Sequence, residues 1–411
     1  MPSGRRDRHR EGVEIIRNIT RRKLRSCLTI SGIVIGVLAL TTLGSMAEHF
    51  NALVKANVDY FGDRIPVESQ ATSLNSTGFL SISKAGEIAK IEGVAAVFPD
   101  IQMAAKPGGS FSTVRFGPPF TIVARNPAEA RFARYKLQYQ TGRDIAAGAR
   151  GEAAVGSDLA AELKARTGDL IYLPVKPQDA KSDFISHPFT VVGVLDRTLA
   201  APDSYAYVSV ADAQMLLADD LPPAVQAPAA ATSLTQGFVV FGSSGTDLDQ
   251  LADRITSDVS QIKATRPSVV IKALGQAVSV FTAITTGAAL IALVVGGLSV
   301  INTMMMSISE RVREIGLKKA IGAKTRRILR EYLTEATAIG IIGGLLGLGL
   351  GLTLTQVLDR AGGDPSSGLF LLTPRLALFA LGFATLLGCV AGIIPAFRAA
   401  RMDPVTALRA Q

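Results

Sequence analysis

Four long apolar runs and one long mixed segment divide the 411-residue chain. The first run, 28–46, is uncharged and has the length that a hydrocarbon core of roughly 30 Å requires of a helix. Three further runs follow in the second half of the chain, at 280–308, 333–358 and 376–397. The pattern predicts four transmembrane helices, with one soluble region, 47–278, between the first and the second.

Short helical and strand patterns alternate through this soluble region. Helices are predicted at 84–91, 157–166, 211–217 and 247–262, and strands at 94–98, 120–124, 170–175, 189–195, 205–208, 238–241 and 269–271. The mixture is typical of an α+β domain, and about 230 residues are enough for two subdomains. The Pro- and Ala-rich stretch 218–232 is interpreted as a flexible surface connection.

Basic residues set the expected orientation of the four helices. The connection 309–332 contains eight Lys or Arg residues, and three Arg residues lie in the tail 398–411, whereas the connection 359–375 has no such excess. By the positive-inside rule, both basic segments are predicted to be cytoplasmic. The segment 1–27 is read as a basic cytoplasmic N-terminus with an amphipathic helix on the inner leaflet. Both termini are therefore expected inside, and the α+β domain outside.

A cleaved signal peptide is the competing interpretation of the N-terminal segment. Ser45-Met46-Ala47 has roughly the small-x-small form of a cleavage site. However, the apolar run is longer than the ~7–15 residues of a signal-peptide core. Phe50, Leu53, Val54 and Val58 also continue a helical stripe past the membrane, so the soluble region is expected to have stalk ends. A retained first helix is favoured for these reasons.

Composition argues against several other classes of protein. The net charge is +9, but the cations cluster beside apolar runs and lack interleaved aromatic residues, so no nucleic-acid partner is expected. The two cysteines allow no disulfide framework, and the three histidines are scattered. No H-E-x-x-H or G-x-S-x-G motif occurs. We expect no catalytic, cofactor-binding or metal-binding residues in this chain, and no enzymatic activity of its own.

The connection between the second and third runs predicts a short basic amphipathic helix. Apolar residues at i, i+4 and i+7, from Ile308 to Ile315, line one face of it. Glu314 precedes Lys318 by four residues, the favourable order for an intrahelical ion pair, and Gly322 is predicted to stop the helix. This helix is expected to lie against the cytoplasmic face of the membrane and to contact a partner there.

The third run is rich in glycine. Small-xxx-small spacings allow close contact between membrane helices, and the residues assigned to helix packing are Gly340, Gly343, Gly344, Gly347 and Gly351. These spacings suit packing within one subunit and a dimer face equally well.

Three sequence blocks resemble the MacB/FtsX-like permeases, the membrane subunits of ABC systems that transmit force across the membrane. They are SERVREIGLKKAIGA at 309–323, PAFRAA followed by DPV at 395–405, and KLR through GIVIG at 23–36. The soluble region resembles the family's extracytoplasmic fold at 154–156, 168–169 and 189–194. The resemblance implies a MacB-like periplasmic core domain with two subdomains, and an FtsX-like permease domain at 280–397.

The resemblance also implies a partner and the residues that contact it. Two permease copies, as a homodimer or a pair with a related permease, would engage two ABC ATPase subunits. The residues implied in ATPase coupling are Glu310, Arg311, Arg313, Glu314, Ile315, Gly316, Lys318, Lys319, Ala320 and Gly322. The alternative, a solvated loop that obeys the positive-inside rule, explains the basic residues of this set but not its glutamates.

The expected function is export of an amphiphilic substrate (a drug, peptide, lipid or lipoprotein) across the bacterial inner membrane. A periplasmic adaptor is the further partner expected for an exporter. The alternative is an FtsX-like signalling scaffold that activates a cell-wall hydrolase. Only about 27 residues precede the first run, and no G-x-x-x-x-G-K-[ST] phosphate loop occurs. Gly322-Ala323-Lys324-Thr325 comes nearest, but an alanine separates its Gly and Lys. ATP and Mg²⁺ are therefore expected on a separate ATPase subunit.

Overall fold

The computed structural model describes residues 23–70, 78–106, 118–177, 184–220, 233–361 and 368–409. The predicted N-terminal amphipathic helix and most of the Pro/Ala-rich stretch lie outside these residues. In chain order the described helices and strands are α1 (Lys23–Phe61), β1 (Arg64–Ser69), β2 (Leu80–Ser81), α2 (Lys84–Ile88), β3 (Val94–Asp100), β4 (Gln102–Ala104), β5 (Thr121–Arg125), β6 (Tyr139–Gly142), β7 (Glu152–Val155), α3 (Ser157–Leu163), β8 (Leu170–Leu173), β9 (His187–Leu195), β10 (Tyr205–Ser209), α4 (Val210–Asp220), β11 (Leu234–Thr235), β12 (Gly237–Gly242), α5 (Leu248–Asp258), β13 (Ile262–Ala264), α6 (Pro267–Glu310), α7 (Val312–Ala320), α8 (Thr325–Ala361), α9 (Pro374–Arg401) and α10 (Pro404–Arg409).

The chain forms two compact units. The helical unit contains the described residues up to His49, Val280–Leu358, and those from Phe370 onward. The α+β unit contains Phe50–Ser279 and the described residues of Asp359–Leu369. Helix α1 passes from the first unit into the second.

Four helices of the described chain are long and apolar enough to cross a membrane. They are Ile30–Phe61 of α1, Pro267–Glu310 (α6), Thr325–Arg360 of α8 and Pro374–Arg401 (α9). The complete helices α1, α6, α8 and α9 each contain one of the four predicted runs and extend beyond it. This arrangement confirms the predicted fold class of four membrane helices with an α+β domain.

The strand predicted at 269–271 is wrong. Its β-branched residues lie in the first turns of α6, which begins at Pro267. Proline suits the first turn of a helix because the N–H that it lacks has no intrahelical partner there. Val269 is 52% exposed, so these residues lack the burial that selects β-branched side chains for a sheet.

Glycines allow close packing of α8 in the helical unit. A Cβ added at Gly343 would lie 2.8 Å from Ile33 of α1, and one at Gly347 would lie 2.7 Å from Val37. Gly351 lies against α1 in the same way, whereas Gly340 and Gly344 lie against α9. All five contacts are made within one chain. These glycines allow the backbone of α8 to approach α1 and α9 closely. In lipid, van der Waals packing of this kind drives helix association.

The α+β unit contains two main sheets. The four-stranded sheet has the order β13-β1-β12-β3 and is antiparallel throughout. The seven-stranded sheet has the order β4-β5-β10-β7-β9-β6, with β8 also paired to β9. In it β10 pairs with β5, and β7 with β9, in parallel, while the other pairs are antiparallel. Strands β2 and β11 form a separate short pair.

Each main sheet has its own hydrophobic core. The four-stranded sheet buries Ile65, Val67, Phe238 and Val240 against α2 and α5. The core of the seven-stranded sheet joins residues of its strands to α3 and α4, with Leu159, Val191, Val208 and Leu216 among its members. Two cores of this kind correspond to the two predicted subdomains.

Two predicted helices end early for a local reason. The helix predicted at 157–166 ends at Leu163, because Lys164 adopts a left-handed conformation with φ of 52°. A positive φ ends a right-handed helix. The helix predicted at 247–262 ends at Asp258, because Val259 is extended, with φ of −115° and ψ of 122°.

Candidate coupling site

Helix α7 is a separate short helix between α6 and α8. The prediction that Ile308 belongs to the same helix as Ile315 is wrong. Arg311, with φ of −107° and ψ of 14°, interrupts the helix and separates α6 from α7. Ile308 and Ile315 are nevertheless both buried in one apolar cluster of the helical unit. Gly322 has φ of +98°, a left-handed conformation that suits glycine at a helix end.

One face of α7 is covered by the C-terminal helix α10. Ile315 and Gly316 are buried, and a Cβ at Gly316 would lie 2.6 Å from the Cβ of Ala407. The Nζ atom of Lys319 donates a hydrogen bond of 2.7 Å to the carbonyl oxygen of Met402. Gly316 and Lys319 of the predicted coupling set therefore lie against the chain's own tail, and Ile315 is buried in the apolar cluster of the helical unit.

Ion pairs connect α7 to the beginning of α8. The Nζ atom of Lys318 lies 3.2 Å from Glu314 and 2.8 Å from Glu331 of α8. Burial lowers the pKa of the Lys318 ammonium, but its hydrogen bonds to Glu331 and Glu314 raise that pKa more, so the net shift is upward. The charged form is favoured. Arg311 lies 3.9 Å from Glu335 of α8, which makes a second, longer connection.

The opposite face of α7 is exposed and carries two apolar side chains. Leu317 is 53% exposed and Ile321 is 78% exposed. They are four residues apart, and Leu317 lies about 200° around the helix from the buried Ile315. Arg313, Glu314 and Ala320 of the predicted coupling set are also exposed on α7. Glu310, at the end of α6, and Gly322, just after α7, are exposed as well. We call Leu317 and Ile321 the apolar pair of α7.

The apolar pair was not among the predicted site residues. The signal was present in the sequence, because Leu317 falls on the side of the helix opposite to the Ile308–Ile315 stripe. Contiguous exposed apolar surface marks sites of protein binding, so the apolar pair is a candidate for such a site.

A second set of contacts fixes the last turns of α1 within the α+β unit. The hydroxyl groups of Tyr60 and Tyr207 share a hydrogen bond of 3.1 Å. The side-chain oxygen of Asn57 accepts a hydrogen bond of 3.1 Å from the backbone N–H of Ala201. The guanidinium of Arg64, in β1, lies 4.0 Å from the ring centroid of Tyr60. The end of α1 therefore contacts residues of both main sheets and their loops.

A buried ion pair supports this junction. Arg125 of β5 is 8% exposed and donates hydrogen bonds of 2.8–3.1 Å to both carboxylate oxygens of Asp144. Its guanidinium also lies 5.3 Å from the ring centroid of Tyr207. Burial lowers the pKa of Arg125, but the bonds to Asp144 raise it more. Among the residues that the structure describes, no group of three His, Cys, Asp or Glu side chains could hold a metal ion.

Two family models match this chain. Residues 26–258 match the MacB-like periplasmic core domain, and residues 286–404 match the FtsX-like permease C-terminal domain. The chain therefore belongs to the MacB/FtsX-like family of ABC transporter permeases. It is a membrane protein of this class.

Similar curated proteins carry export or permease names. The pyoverdine export ATP-binding/permease protein PvdT of Pseudomonas fluorescens Pf-5 is 27% identical over 399 residues, which are 95% of this chain and 57% of that protein. The macrolide export ATP-binding/permease protein MacB of Psychrobacter cryohalolentis is 41% identical over 127 residues, 31% of this chain and 19% of that protein. The ABC transporter permease YknZ of Bacillus subtilis is 37% identical over 136 residues, 33% of each chain. The chain thus spans little more than half the length of PvdT.

Two solved structures are similar to part of the chain. The periplasmic region of MacB from Actinobacillus actinomycetemcomitans aligns with a TM-score of 0.34 and 11% identity, over 53% of this chain and 94% of that one. The extracellular domain of YknZ from Gram-positive bacteria aligns with a TM-score of 0.31 and 14% identity, over 49% of this chain and 99% of that one.

Proposed function

We propose that this chain is the permease subunit of an ABC exporter in which an ATPase docks on the exposed face of α7. ATP hydrolysis on that ATPase would then move the α+β unit and drive export of an amphiphilic substrate. The observation that carries the proposal is the apolar pair of α7, presented on a helix that is held from behind by α8 and α10.

The apolar pair supplies binding free energy and the surrounding charges supply specificity. Complete burial of an exposed leucine or isoleucine contributes about 1.5–3 kcal/mol, and these two are already partly covered, so about 1–2 kcal/mol each is expected. The exposed charges of Arg313 and Glu314 would lie at the rim of such a contact. Apolar anchors surrounded by polar residues are the usual arrangement of a protein interface.

The contacts of α7 with α8 and with α10 would transmit a movement of α7 to the rest of the helical unit. A displacement of α7 would act on α8 through Lys318 and Glu331, and on the tail through Gly316 and Ala407. At the other end, α1 is one continuous helix of 39 residues, whose last turns bind the α+β unit. This is the mechanotransmission that we propose, with motion of α1 transferred to the sheets.

The rest of the assembly belongs to the same proposal. In this proposal ATP and Mg²⁺ bind a separate ATPase subunit, and this chain binds no cofactor. Two permease copies would meet two ATPases, with α7 and both termini on the cytoplasmic side of the inner membrane. The export names of PvdT and MacB support an export function.

The test is affinity purification of the tagged full chain from its native membranes, in mild detergent, with mass spectrometry of the proteins recovered. Leu317→Glu is compared with Val405→Glu, because Val405 of α10 is similarly exposed, at 58%, but lies outside the apolar pair. We expect an ABC ATPase with the unchanged chain and with Val405→Glu, and at least tenfold less of it with Leu317→Glu.

Other results would change the proposal. Equal recovery of the ATPase with both variants contradicts docking on α7. Recovery of no ATPase contradicts the coupling mechanism altogether. An ATPase together with a cell-wall hydrolase, and without a periplasmic adaptor, would favour the signalling scaffold over an exporter.

A further inference from the structure

A shallow groove of about 360 Å³ follows one face of α8. Arg326 and Arg330 line its beginning, and Leu333, Thr337 and Ile341 line its continuation along the helix. These positions are three or four residues apart, so they form one stripe on α8. The groove is thus cationic at one end and apolar at the other.

The positive charge of this groove is not neutralised within the described part of the chain. Neither Arg326 nor Arg330 makes an ion pair or a side-chain hydrogen bond with another described residue. No Asp or Glu lines the groove. Glu331 follows Arg330 directly, but its carboxylate is bound to Lys318. The two guanidinium groups are therefore available to an external anion.

The groove lies where α8 enters the hydrocarbon core of the bilayer. From Ala336 to Leu358 the sequence of α8 contains no charged residue, so the hydrocarbon region begins near Ala336. Arg330 lies six residues, about 9 Å, before that point, and Ile341 lies five residues, about 8 Å, beyond it. A headgroup layer is only about 5–8 Å thick, and an arginine side chain can reach along the surface into it. The groove therefore crosses from the headgroup layer into the hydrocarbon.

We propose that this groove binds an anionic phospholipid from the leaflet on the side of α7. Its phosphate would accept hydrogen bonds from Arg326 and Arg330, since guanidinium groups bind phosphate oxygens in a bidentate way. One acyl chain would lie along Leu333, Thr337 and Ile341. A free phosphate would leave the apolar wall uncovered, and a zwitterionic lipid would leave the two positive charges without net compensation. The inference does not depend on the proposed ATPase.

The absence of tryptophan from the chain allows a direct test. Ile341→Trp places a single fluorophore in the apolar part of the groove, at a side chain that is 39% exposed. The full chain, purified and delipidated in neutral detergent, is titrated with phosphatidylglycerol brominated on its acyl chains, and separately with brominated phosphatidylcholine. We expect saturable quenching at lower concentration for phosphatidylglycerol.

Charge variants in the Ile341→Trp background identify the headgroup site. Arg326→Ala and Arg330→Ala should each weaken phosphatidylglycerol binding about fivefold, the effect typical of one basic residue near a lipid surface. Arg327→Ala is the matched control, because Arg327 is on the same turn of α8 but does not line the groove.

Four results would overturn the proposal. Equal quenching by both lipids means ordinary annular lipid. Equal effects of Arg326→Ala, Arg330→Ala and Arg327→Ala mean that no headgroup site exists there. Displacement of the lipid by millimolar inorganic phosphate means an anion site without an acyl contribution. Lack of quenching by either lipid, in a chain that migrates as a dimer, means that a second copy covers the groove.

Discussion

Substitution of Gly316 by alanine should loosen the C-terminal helix α10 from α7. The added Cβ would lie 2.6 Å from the Cβ of Ala407, whereas two carbon atoms in contact are ordinarily about 3.5–4.0 Å apart. The two helices must therefore separate by about 1 Å. Overpacking of this kind costs about 1–3 kcal/mol. Because the clash falls on the α7–α10 contact, the docked state of α10 should lose about 5- to 150-fold in population relative to the undocked state.

Hydrogen exchange with mass spectrometry measures this loss directly. The backbone N–H of Ala407 donates to the carbonyl oxygen of Asp403, and its protection depends on α10 remaining folded against α7. Gly316→Ala should speed exchange in 403–409 by the same factor and should lower recovery of the ATPase. Gly349→Ala is the matched control, because no atom lies within 4 Å of a Cβ at that position.

A compensating change distinguishes this clash from a general destabilisation. In the Gly316→Ala, Ala407→Gly double variant the opposing methyl group is absent, and the nearest atoms left to the new Cβ are about 3.5 Å away. Protection of 403–409 from exchange should return toward that of the unchanged chain. The recovery should be incomplete, because the new glycine at position 407 destabilises α10 by up to about 1 kcal/mol. Exchange in the single variant equal to that of the unchanged chain would refute the packing argument, as would a double variant no better protected than the single one.

Three further predictions concern stability of the full chain in detergent. Gly347→Ala should lower the melting temperature because its methyl group would lie 2.7 Å from a Cβ of α1, whereas Gly349→Ala should not; equal melting temperatures contradict the packing of α8 on α1. Asp144→Ala should cost about 3 kcal/mol in denaturant unfolding, because it leaves the Arg125 guanidinium buried without its partner; a cost below about 1 kcal/mol, typical of exposed pairs, contradicts this. Burial raises the pKa of Asp100, so this group contributes stability that is complete below its unfolded pKa and is lost as the pH rises through the folded value. Asp100→Asn should therefore stabilise the protein at pH 7 and much less at about pH 4, and an equal effect at both pH values contradicts the shift.

The membrane helices could be predicted because their signal is local. An uncharged run of sufficient length, flanked by basic residues, defines a span without any knowledge of tertiary contacts. The extension of α1 was predicted too, from the apolar stripe of Phe50, Leu53, Val54 and Val58, and α1 continues to Phe61. The start of α6 at Pro267 was not, because the β-branched residues after it give a strand signal.

Several strands of the α+β unit were not predicted, and β7 and β1 show how their residues give weak or misleading signals. In β7, Ala153 and Ala154 are completely buried between β10 and β9, so the strand has no apolar–polar alternation and no β-branched residue before Val155. Strand β1 lies between β13 and β12 and contains Pro66, a residue that usually argues against a central strand. Both strands are specified by their neighbours in the sheet.

In the candidate site, too, the local features could be predicted from the sequence and the long-range contacts could not. The Glu314–Lys318 pair and the end of α7 at Gly322 were predicted from spacing alone, and both are present. Coverage of Gly316 by Ala407 depends on residues far apart in the chain, so local patterns gave no indication of it. The outward position of Leu317, by contrast, follows from the local pattern, because Leu317 lies opposite to the Ile308–Ile315 stripe.

The central claim is that an ABC ATPase binds the exposed face of α7. Its most direct test is a photo-crosslinking amino acid at Leu317 of the full chain, activated in native membranes, with mass spectrometry of the adduct. The account predicts an adduct with an ABC ATPase from this position, and none from the same probe at Val405, which is exposed on α10. Absence of an ATPase adduct from Leu317, or equal adducts from both positions, would contradict it.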